Sequence, residues 1–160
     1  MALIGIVAVA RNGAIGKGGD LAWRFPADMR FFKSQTVGHA CLMGAHTWRS
    51  LGKPLKDRLN IVMSRTLQIE PQPGLIVLRD KTSVLSLADY LACDLFIIGG
   101  AQIYRLFQNE IEKWIVTEVP LVVEEADTSM PEDFLRNFRV TGEQEEELEG
   151  DLRVRFYERV

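Results

Sequence analysis

The sequence predicts an α/β fold with a mainly parallel sheet that ends in an antiparallel hairpin. Short, continuous apolar runs rich in branched residues recur along the chain, and such runs are typical of strands buried on both faces. Stretches with helical periodicity separate them, and this alternation indicates crossover connections and a parallel sheet. Near the carboxyl end, apolar and polar residues alternate on both sides of Gly150-Asp151, which predicts the hairpin.

The predicted elements follow one another in chain order. The buried strands are expected at 3–9, 40–43, 59–63, 75–78, 95–98 and 114–119. The helices are expected at 26–37, 47–51, 84–92 and 101–107. Pro26 suits the first position of the first helix, where its missing N–H has no intrahelical partner. The acidic stretch 143–151 is expected to be a solvent-exposed loop of the hairpin.

Composition narrows the class of protein. A chain of 160 residues without repeats or linkers predicts one domain with a real core. Its 19 Lys and Arg against 22 Asp and Glu give a net charge of −3, which argues against a nucleic-acid partner. Cys41 and Cys93 have neither metal-ligand nor disulfide spacing, so no metal is expected. The apolar run 2–10 is too short for a membrane span, so we expect a cytoplasmic protein without a membrane partner.

Asp28 is the position best suited to acid–base chemistry. It falls in the first turn of the helix predicted at 26–37, where a carboxylate is commonly just a favourable partner of the helix dipole. Phe31 and Phe32 follow three and four residues later, so they share a helix face with it. A carboxylate beside apolar rings is poorly solvated, which raises its pKa toward the range useful for proton exchange. Spacing alone leaves both interpretations open.

Glycine at strand-to-helix junctions creates candidate anion sites. Two such junctions, 42–47 and 97–102, allow backbone N–H groups to face a ligand. Neither matches the dinucleotide-binding GxGxxG pattern or the phosphate-loop GxxxxGK[ST] pattern. The glycine-rich segment 11–24 is long for a connection inside a compact domain, which favours a functional loop. The chain also has cations that can collect an anionic small molecule: Lys33, Arg58 and Arg65.

Six blocks of sequence match a known family in order and spacing. They are IVAVARNGAIGKGGDLAWRFPADMRFFK (6–33), CLMGAHTWRSLGKPL (41–55), RLNIVMSR (58–65), FIIGGAQIY (96–104), WIVTEV (114–119) and ADTSMP (126–131). On these motifs the chain resembles dihydrofolate reductase over essentially its whole length. The resemblance implies a single domain over 1–160, with a mainly parallel eight-stranded central sheet, about four flanking helices and an adenosine-binding subdomain at roughly 39–90.

The resemblance also implies a reaction and its machinery. Dihydrofolate is reduced to tetrahydrofolate with NADPH, as hydride passes to pterin C6 and a proton reaches N5. Asp28 is the single acid and accepts hydrogen bonds from the pterin, while the proton itself arrives through water. Thr117 is expected to support Asp28, Trp23 to hold an ordered water, and Leu21 to occupy the gating position of a mobile loop.

Further positions follow from the resemblance as ligand contacts. Those for the substrate are Ile6, Met29, Phe32, Lys33, Leu51, Arg58, Ile98 and Tyr104, with Arg58 as the clamp for the α-carboxylate of the glutamate tail. Those for the cofactor are Ala8, Ile15, Gly16, Gly44, Ala45, His46, Thr47, Met63, Ser64, Arg65, Gly99, Gly100, Ala101, Gln102 and Ile103. The Gly99–Gly100 peptide is the candidate for the family's cis bond.

One departure from the family bears on cofactor choice. Ala45 stands where the family usually has an Arg that meets the adenosine phosphates, but Arg65 lies where the 2′-phosphate is expected, so NADPH is favoured over NADH. Two alternatives remain: a related pterin or pyrimidine reductase of the same fold, and a non-catalytic folate- or nucleotide-binding module. Asp28 together with Arg58 argues against the first, and Ala45 is the hint of the second. We expect a monomer.

Overall fold

The computed structural model of the chain describes residues 1–16, 23 and 25–160, and within that range it describes 142–146 by their backbone alone. Its strands and helices have the following bounds: β1 (Leu3–Ala10), β2 (Ala14–Gly16), α1 (Pro26–Thr36), β3 (Ala40–Gly44), α2 (Ala45–Leu51), β4 (Leu59–Met63), β5 (Leu75–Leu78), α3 (Lys81–Ala88), β6 (Leu95–Gly99), α4 (Ala101–Leu106), β7 (Lys113–Val119), β8 (Thr128–Ser129), β9 (Phe138–Leu148) and β10 (Leu152–Arg159). The predicted helices and strands are all present, but β5 was expected to be buried and is half-buried along its whole length, because it lies at the edge of the sheet.

One sheet contains eight of these strands, in the order β5-β4-β3-β6-β1-β7-β10-β9. β3 pairs in parallel with β4 and β6, and β4 pairs in parallel with β5. β10 is antiparallel to both β7 and β9. The α/β class, the eight-stranded, mainly parallel sheet with four helices, and the antiparallel carboxyl end are therefore confirmed.

Several element boundaries differ from the prediction: α2 begins at Ala45 rather than at 47, and α3 ends at Ala88 rather than at 92. Two further differences have a clear physical reason. α3 begins at Lys81 rather than at 84, because the Asp80 carboxylate accepts a hydrogen bond from Ser83 N at 2.7 Å and so caps the helix earlier. The acidic stretch 143–151 was expected to be a loop, but its residues up to Leu148 belong to β9, and Leu148 pairs with Leu152 of β10. The loop is reduced to a tight turn, in which Gly150 and Asp151 have φ of +85° and +60°.

The chain divides into two compact units. Unit 1 comprises Met1–Ile4 and Thr36–Ile111, and unit 2 comprises Gly5–Gln35 and Glu112–Val160. The segment 39–90, which is predicted to bind adenosine, lies within unit 1. That residues 1–160 form a single domain remains a prediction. Within the described residues no helix is long and apolar enough to cross a membrane.

Each unit has its own buried apolar residues. In unit 1 the side chains of Leu42, Met43, Ile61 and Ile97 on adjacent parallel strands are fully buried. In unit 2 the buried side chains of Ala10, Ala14, Trp23, Val119, Val123 and Leu152 form one cluster. Burial of this kind is the main favourable contribution to folding.

Candidate active site

Asp28 lies in the first turn of α1 and is half-buried. Its carboxylate is hydrogen-bonded to the side chain of Thr117 on β7, which is buried. Burial raises the pKa of Asp28 above its usual range, and the hydrogen bond from Thr117 offsets part of that shift. The sequence argument from poor solvation therefore predicted the direction of the shift correctly. The structure also brings together the acid and its expected supporting residue.

Three aromatic residues lie on α1 or shortly before it in the chain. Phe31 is buried and meets Phe156 of β10 edge to face, with ring centroids 6.3 Å apart. Phe32 is only half-buried. Trp23 is 7% exposed, and its indole N–H is buried without a hydrogen-bond acceptor among the described residues. A buried N–H of this kind suits the role expected for Trp23, which is to hold an ordered water.

Unit 2 also contains residues that the resemblance predicts to contact the substrate or the cofactor. Ile6 on β1 and Ile15 on β2 are buried, and Gly16 ends β2. Ala8 on β1 is half-buried. The α1 positions 29 and 33, occupied by Met and Lys, are exposed. The predicted gating residue, Leu21, lies outside the described residues.

Arg58 of unit 1 is held by two hydrogen bonds from its guanidinium. Nε donates to the carbonyl of Lys56 at 2.9 Å, and Nη1 donates to the Thr36 hydroxyl at 3.0 Å. Thr36 ends α1 and is wholly buried, and its hydroxyl also hydrogen-bonds Cys41. Burial raises the pKa of the Cys41 thiol to about 12, so this sulfur is an inert part of the support. A guanidinium with a fixed plane is suited to a carboxylate ligand.

Asn60 was missed by sequence reasoning, although it supports the loop that precedes β4. Its side chain is fully buried and exchanges two hydrogen bonds with Leu55: Leu55 N donates to Oδ1 at 2.8 Å, and Nδ2 donates to Leu55 O at 2.9 Å. Nδ2 also lies 3.1 Å from the carbonyl of Arg58. The available signal was one amide side chain inside the apolar run LNIVM.

Three parallel strands of unit 1 end at one edge of the sheet, next to the predicted cofactor residues. β3 ends at Gly44, β4 at Met63 and β6 at Gly99, and α2 and α4 begin directly after the first and third of these strands. In parallel sheets, ligands bind beyond the carboxyl ends of the strands. The predicted Ser64 and Arg65 follow β4 at the same edge.

Glycine at this edge leaves room that a side chain would fill. A Cβ at Gly44 would lie 3.0 Å from Cγ1 of Ile103. Gly99 has φ of +125°, and a Cβ there would lie 3.4 Å from the Tyr104 hydroxyl and 3.5 Å from the Thr47 hydroxyl. The Gly99–Gly100 peptide is cis, as the resemblance implies. These positions form a backbone cradle with two hydroxyl groups beside it, which fits a phosphate-bearing cofactor.

The remaining predicted contacts of unit 1 differ in exposure. Burial raises the pKa of Tyr104, so its hydroxyl stays neutral. Ile103 is buried, whereas His46, Leu51, Arg65 and Gln102 are exposed. The half-buried positions are Ala45, Thr47, Met63, Ser64, Ile98, Gly100 and Ala101. Unit 1 therefore carries Arg58 and most of the predicted cofactor contacts, and unit 2 carries Asp28 together with the predicted contacts Ala8, Ile15 and Gly16.

Comparison with known proteins decides the family. The family model described as dihydrofolate reductase matches residues 2–159. This chain belongs to the dihydrofolate reductase family. The dihydrofolate reductase of Mycobacterium tuberculosis is 34% identical over 125 residues, which cover 76% of this chain and 74% of that protein. The dihydrofolate reductase of Haemophilus influenzae is 32% identical over 129 residues, which cover 79% of this chain and 77% of that protein.

A solved dihydrofolate reductase shares the fold. The enzyme from Enterococcus faecalis, complexed with NADP(H) and RAB-propyl, matches with a TM-score of 0.88 over 99% of this chain and 96% of its own. The two sequences are 24% identical, so this likeness speaks for the architecture of the dihydrofolate reductase family alone.

Proposed function

We infer that this chain reduces 7,8-dihydrofolate to 5,6,7,8-tetrahydrofolate with NADPH, the reaction of its family. The observation that carries the inference is Asp28, a half-buried acid with a raised pKa that hydrogen-bonds Thr117, in a chain whose family model spans residues 2–159. A carboxyl group of this kind can hold a protonated heterocycle near neutral pH. Composition supports the further proposal of a cytoplasmic, single-domain monomer without nucleic-acid or membrane partners.

Asp28 is proposed to bind and polarise the pterin. Its carboxylate accepts hydrogen bonds from pterin N3 and the 2-amino group, which raises the basicity of N5. The Thr117 hydroxyl orients the carboxylate by donating to it. Trp23 holds an ordered water near Asp28 through its indole N–H, and the proton reaches N5 through water. Ile6, Met29 and Phe32 contribute apolar surface around the ring, which excludes other water.

Arg58 is proposed to bind the α-carboxylate of the glutamate tail. Its bonds to Lys56 O and to Thr36 fix the plane of the guanidinium before the substrate arrives. A fixed planar cation recognises a carboxylate at lower entropic cost than a mobile one. Lys33 adds positive charge, and Leu51, Ile98 and Tyr104 are further substrate contacts. The Arg58 guanidinium favours a folate substrate over a reductase substrate that lacks a carboxylate tail.

The glycine cradle of unit 1 is proposed to hold NADPH, which supplies the hydride when bound. Gly44, Gly99 and Gly100 allow close approach of the phosphates, and Thr47 offers a hydroxyl beside them. Arg65 is the proposed partner of the 2′-phosphate, because Ala45 carries no charge. The other proposed contacts are Ala8, Ile15, Gly16, His46, Met63, Ser64, Ala101, Gln102 and Ile103. Leu21 is the proposed gating residue.

The test is dihydrofolate-dependent oxidation of NADPH by the wild-type chain and by Asp28→Asn, with Asp89→Asn as the matched control at an exposed helix end. We expect Asp28→Asn to lose about 100-fold or more in kcat/KM at pH 7, the scale of general acid–base catalysis, and to recover part of it at low pH. The control should match the wild type. NADH is run beside NADPH and should be the poorer reductant.

Two results would contradict the proposal. Undiminished turnover of Asp28→Asn at pH 7 would overturn the role of the acid. No oxidation of either nucleotide by a folded wild-type sample would favour the non-catalytic binding module instead.

A further inference from the structure

Arg79 donates hydrogen bonds to the backbone of the turn that carries Arg65, the proposed partner of the 2′-phosphate. It follows β5 directly, as Ser64 follows β4, and these two strands pair in parallel with Met63 opposite Leu78. Ser64 N donates to Leu78 O at 3.0 Å, so the pairing continues one residue beyond the strands. Arg79 therefore sits next to the turn 64–67, which carries Arg65.

A single guanidinium nitrogen of Arg79 bridges both ends of this turn. Nη1 donates to Ser64 O at 3.0 Å and to Leu67 O at 2.7 Å. Ser64 O belongs to the peptide group that joins Ser64 to Arg65, so this contact fixes the plane of that peptide. Hydrogen bonds from a charged donor are stronger than those from a neutral one.

The Ser64 side chain holds the turn from within. Its hydroxyl accepts from Leu67 N at 3.1 Å and, more weakly, from Thr66 N at 3.4 Å. The backbone on both sides of Arg65 is thus held by Ser64 and Arg79, while the Arg65 side chain itself is exposed. A long exposed side chain on a fixed backbone loses less freedom on binding than one on a mobile loop.

We propose that Arg79 is a positioning residue for cofactor selection: it clamps the turn 64–67 so that Arg65 is directed at the 2′-phosphate that distinguishes NADPH from NADH. The inference rests on the proposed role of Arg65. Arg79 acts through Arg65, so its removal weakens binding of the 2′-phosphorylated nucleotide and leaves the other unaffected.

The experiment measures the dissociation constants of NADP⁺ and NAD⁺ by titration calorimetry, which needs no turnover. Arg79→Met removes the donors and keeps an apolar stem, Arg79→Lys keeps a charged donor, and Arg65→Ala tests the proposed partner. Arg30→Ala is the control, because Arg30 is likewise exposed and its ion pair with Glu149 spans 3.3 Å in unit 2. Melting temperatures are recorded for every variant, so that a loss of fold is separated from a loss of affinity.

We expect Arg79→Met to raise the dissociation constant of NADP⁺ about fivefold and that of NAD⁺ less than about twofold, as expected when a preorganised contact is loosened. Arg79→Lys should restore most of the affinity, since its ammonium can reach the same carbonyls. In the Arg65→Ala background, Arg79→Met should have no further effect, because residues that act as a unit are not additive.

Each contrary result identifies what fails. If Arg65→Ala weakens NADP⁺ selectively but Arg79→Met does not, the positioning role is wrong and the role of Arg65 stands. If Arg65→Ala leaves the NADP⁺ preference intact, the proposed phosphate partner fails, and the inference fails with it. Equal losses for both nucleotides, or additive losses in the double variant, would also overturn the inference.

Discussion

Replacing Asn60 with Ala tests whether one buried amide organises the loop that presents Arg58. The side chain has no exposed surface and exchanges hydrogen bonds with both the N–H and the carbonyl of Leu55, at 2.8 and 2.9 Å. It also contacts the carbonyls of Arg58 and Gly74 at 3.1 and 3.2 Å. Gly74 O keeps a second donor, the backbone N–H of residue 60, at 2.7 Å. In the variant, the N–H and the carbonyl of Leu55 therefore lose the hydrogen bonds that Asn60 made, and the carbonyl of Arg58 loses one contact.

The magnitude follows from the groups left without partners. A buried donor or acceptor that loses its partner costs roughly 1–3 kcal/mol. Because Leu55 is half-buried, its two groups take the lower half of that range and together lower the free energy of unfolding by about 3 kcal/mol. For a chain of this size, that corresponds to a fall of about 6–12 °C in Tm. The KM for dihydrofolate should rise about threefold, because the carbonyl of Arg58 loses its anchor and the guanidinium must be ordered on binding.

The assay is urea and thermal unfolding followed by circular dichroism, with KM measured on the same samples. Asn137→Ala is the control, because Asn137 is exposed, and it should stay within about 0.5 kcal/mol of the wild type. A free energy of unfolding for Asn60→Ala within about 1 kcal/mol of the wild type would contradict the prediction, since two polar groups of Leu55 without partners cost more than that.

Three further predictions concern the site. The folded-state pKa of Asp28 is raised above its usual 3.8, so the wild type loses stability as pH rises from that value through the raised one. Thermal unfolding should therefore find Asp28→Asn more stable than the wild type at pH 7 and equal to it well below pH 3.8, and a destabilised variant at pH 7 would contradict the sign. Arg58→Leu should raise the KM for dihydrofolate about tenfold or more and change kcat by less than about threefold in steady-state kinetics, because uniform binding is lost; an unchanged KM would count against the carboxylate clamp. Gly99→Ala should lower the free energy of unfolding by about 1–3 kcal/mol, because φ of +125° disfavours a side chain, and it should weaken NADP⁺ binding, because the new Cβ would occupy the proposed phosphate cradle; wild-type stability in a chemical denaturation series would contradict this.

The local pattern of apolar and polar residues was sufficient to predict most of the strands and helices. The buried strands were predictable because both faces of a parallel sheet are covered, which leaves continuous apolar runs such as the one in 95–98. The first helix was predictable from Pro26, and the raised pKa of Asp28 from the two Phe residues on its face. β2 and β8 were not predicted, since strands of three and two residues carry no measurable periodicity.

The supports of the site were harder to predict, because they join residues that are distant in sequence. Thr36 meets Arg58 across 22 positions, and Arg79 meets Ser64 across 15. Each looks like an ordinary polar residue in its own segment. The end of α1 places Thr36 beside Arg58, and the pairing of β4 with β5 places Arg79 beside Ser64. The contacts of Arg79 with the turn 64–67 could therefore not be predicted before the register of β4 and β5 was known.

The most direct test of the account is to follow an isotope label from the cofactor into the product. NADPH carrying deuterium at the transferable C4 position is incubated with 7,8-dihydrofolate and the wild-type chain, and the tetrahydrofolate is examined by mass spectrometry and proton NMR. Direct hydride transfer to pterin C6 places one deuterium per product molecule at that carbon, with loss of the label from the nucleotide. Tetrahydrofolate without deuterium, or labelled nucleotide that persists unchanged beside a folded protein, would contradict it.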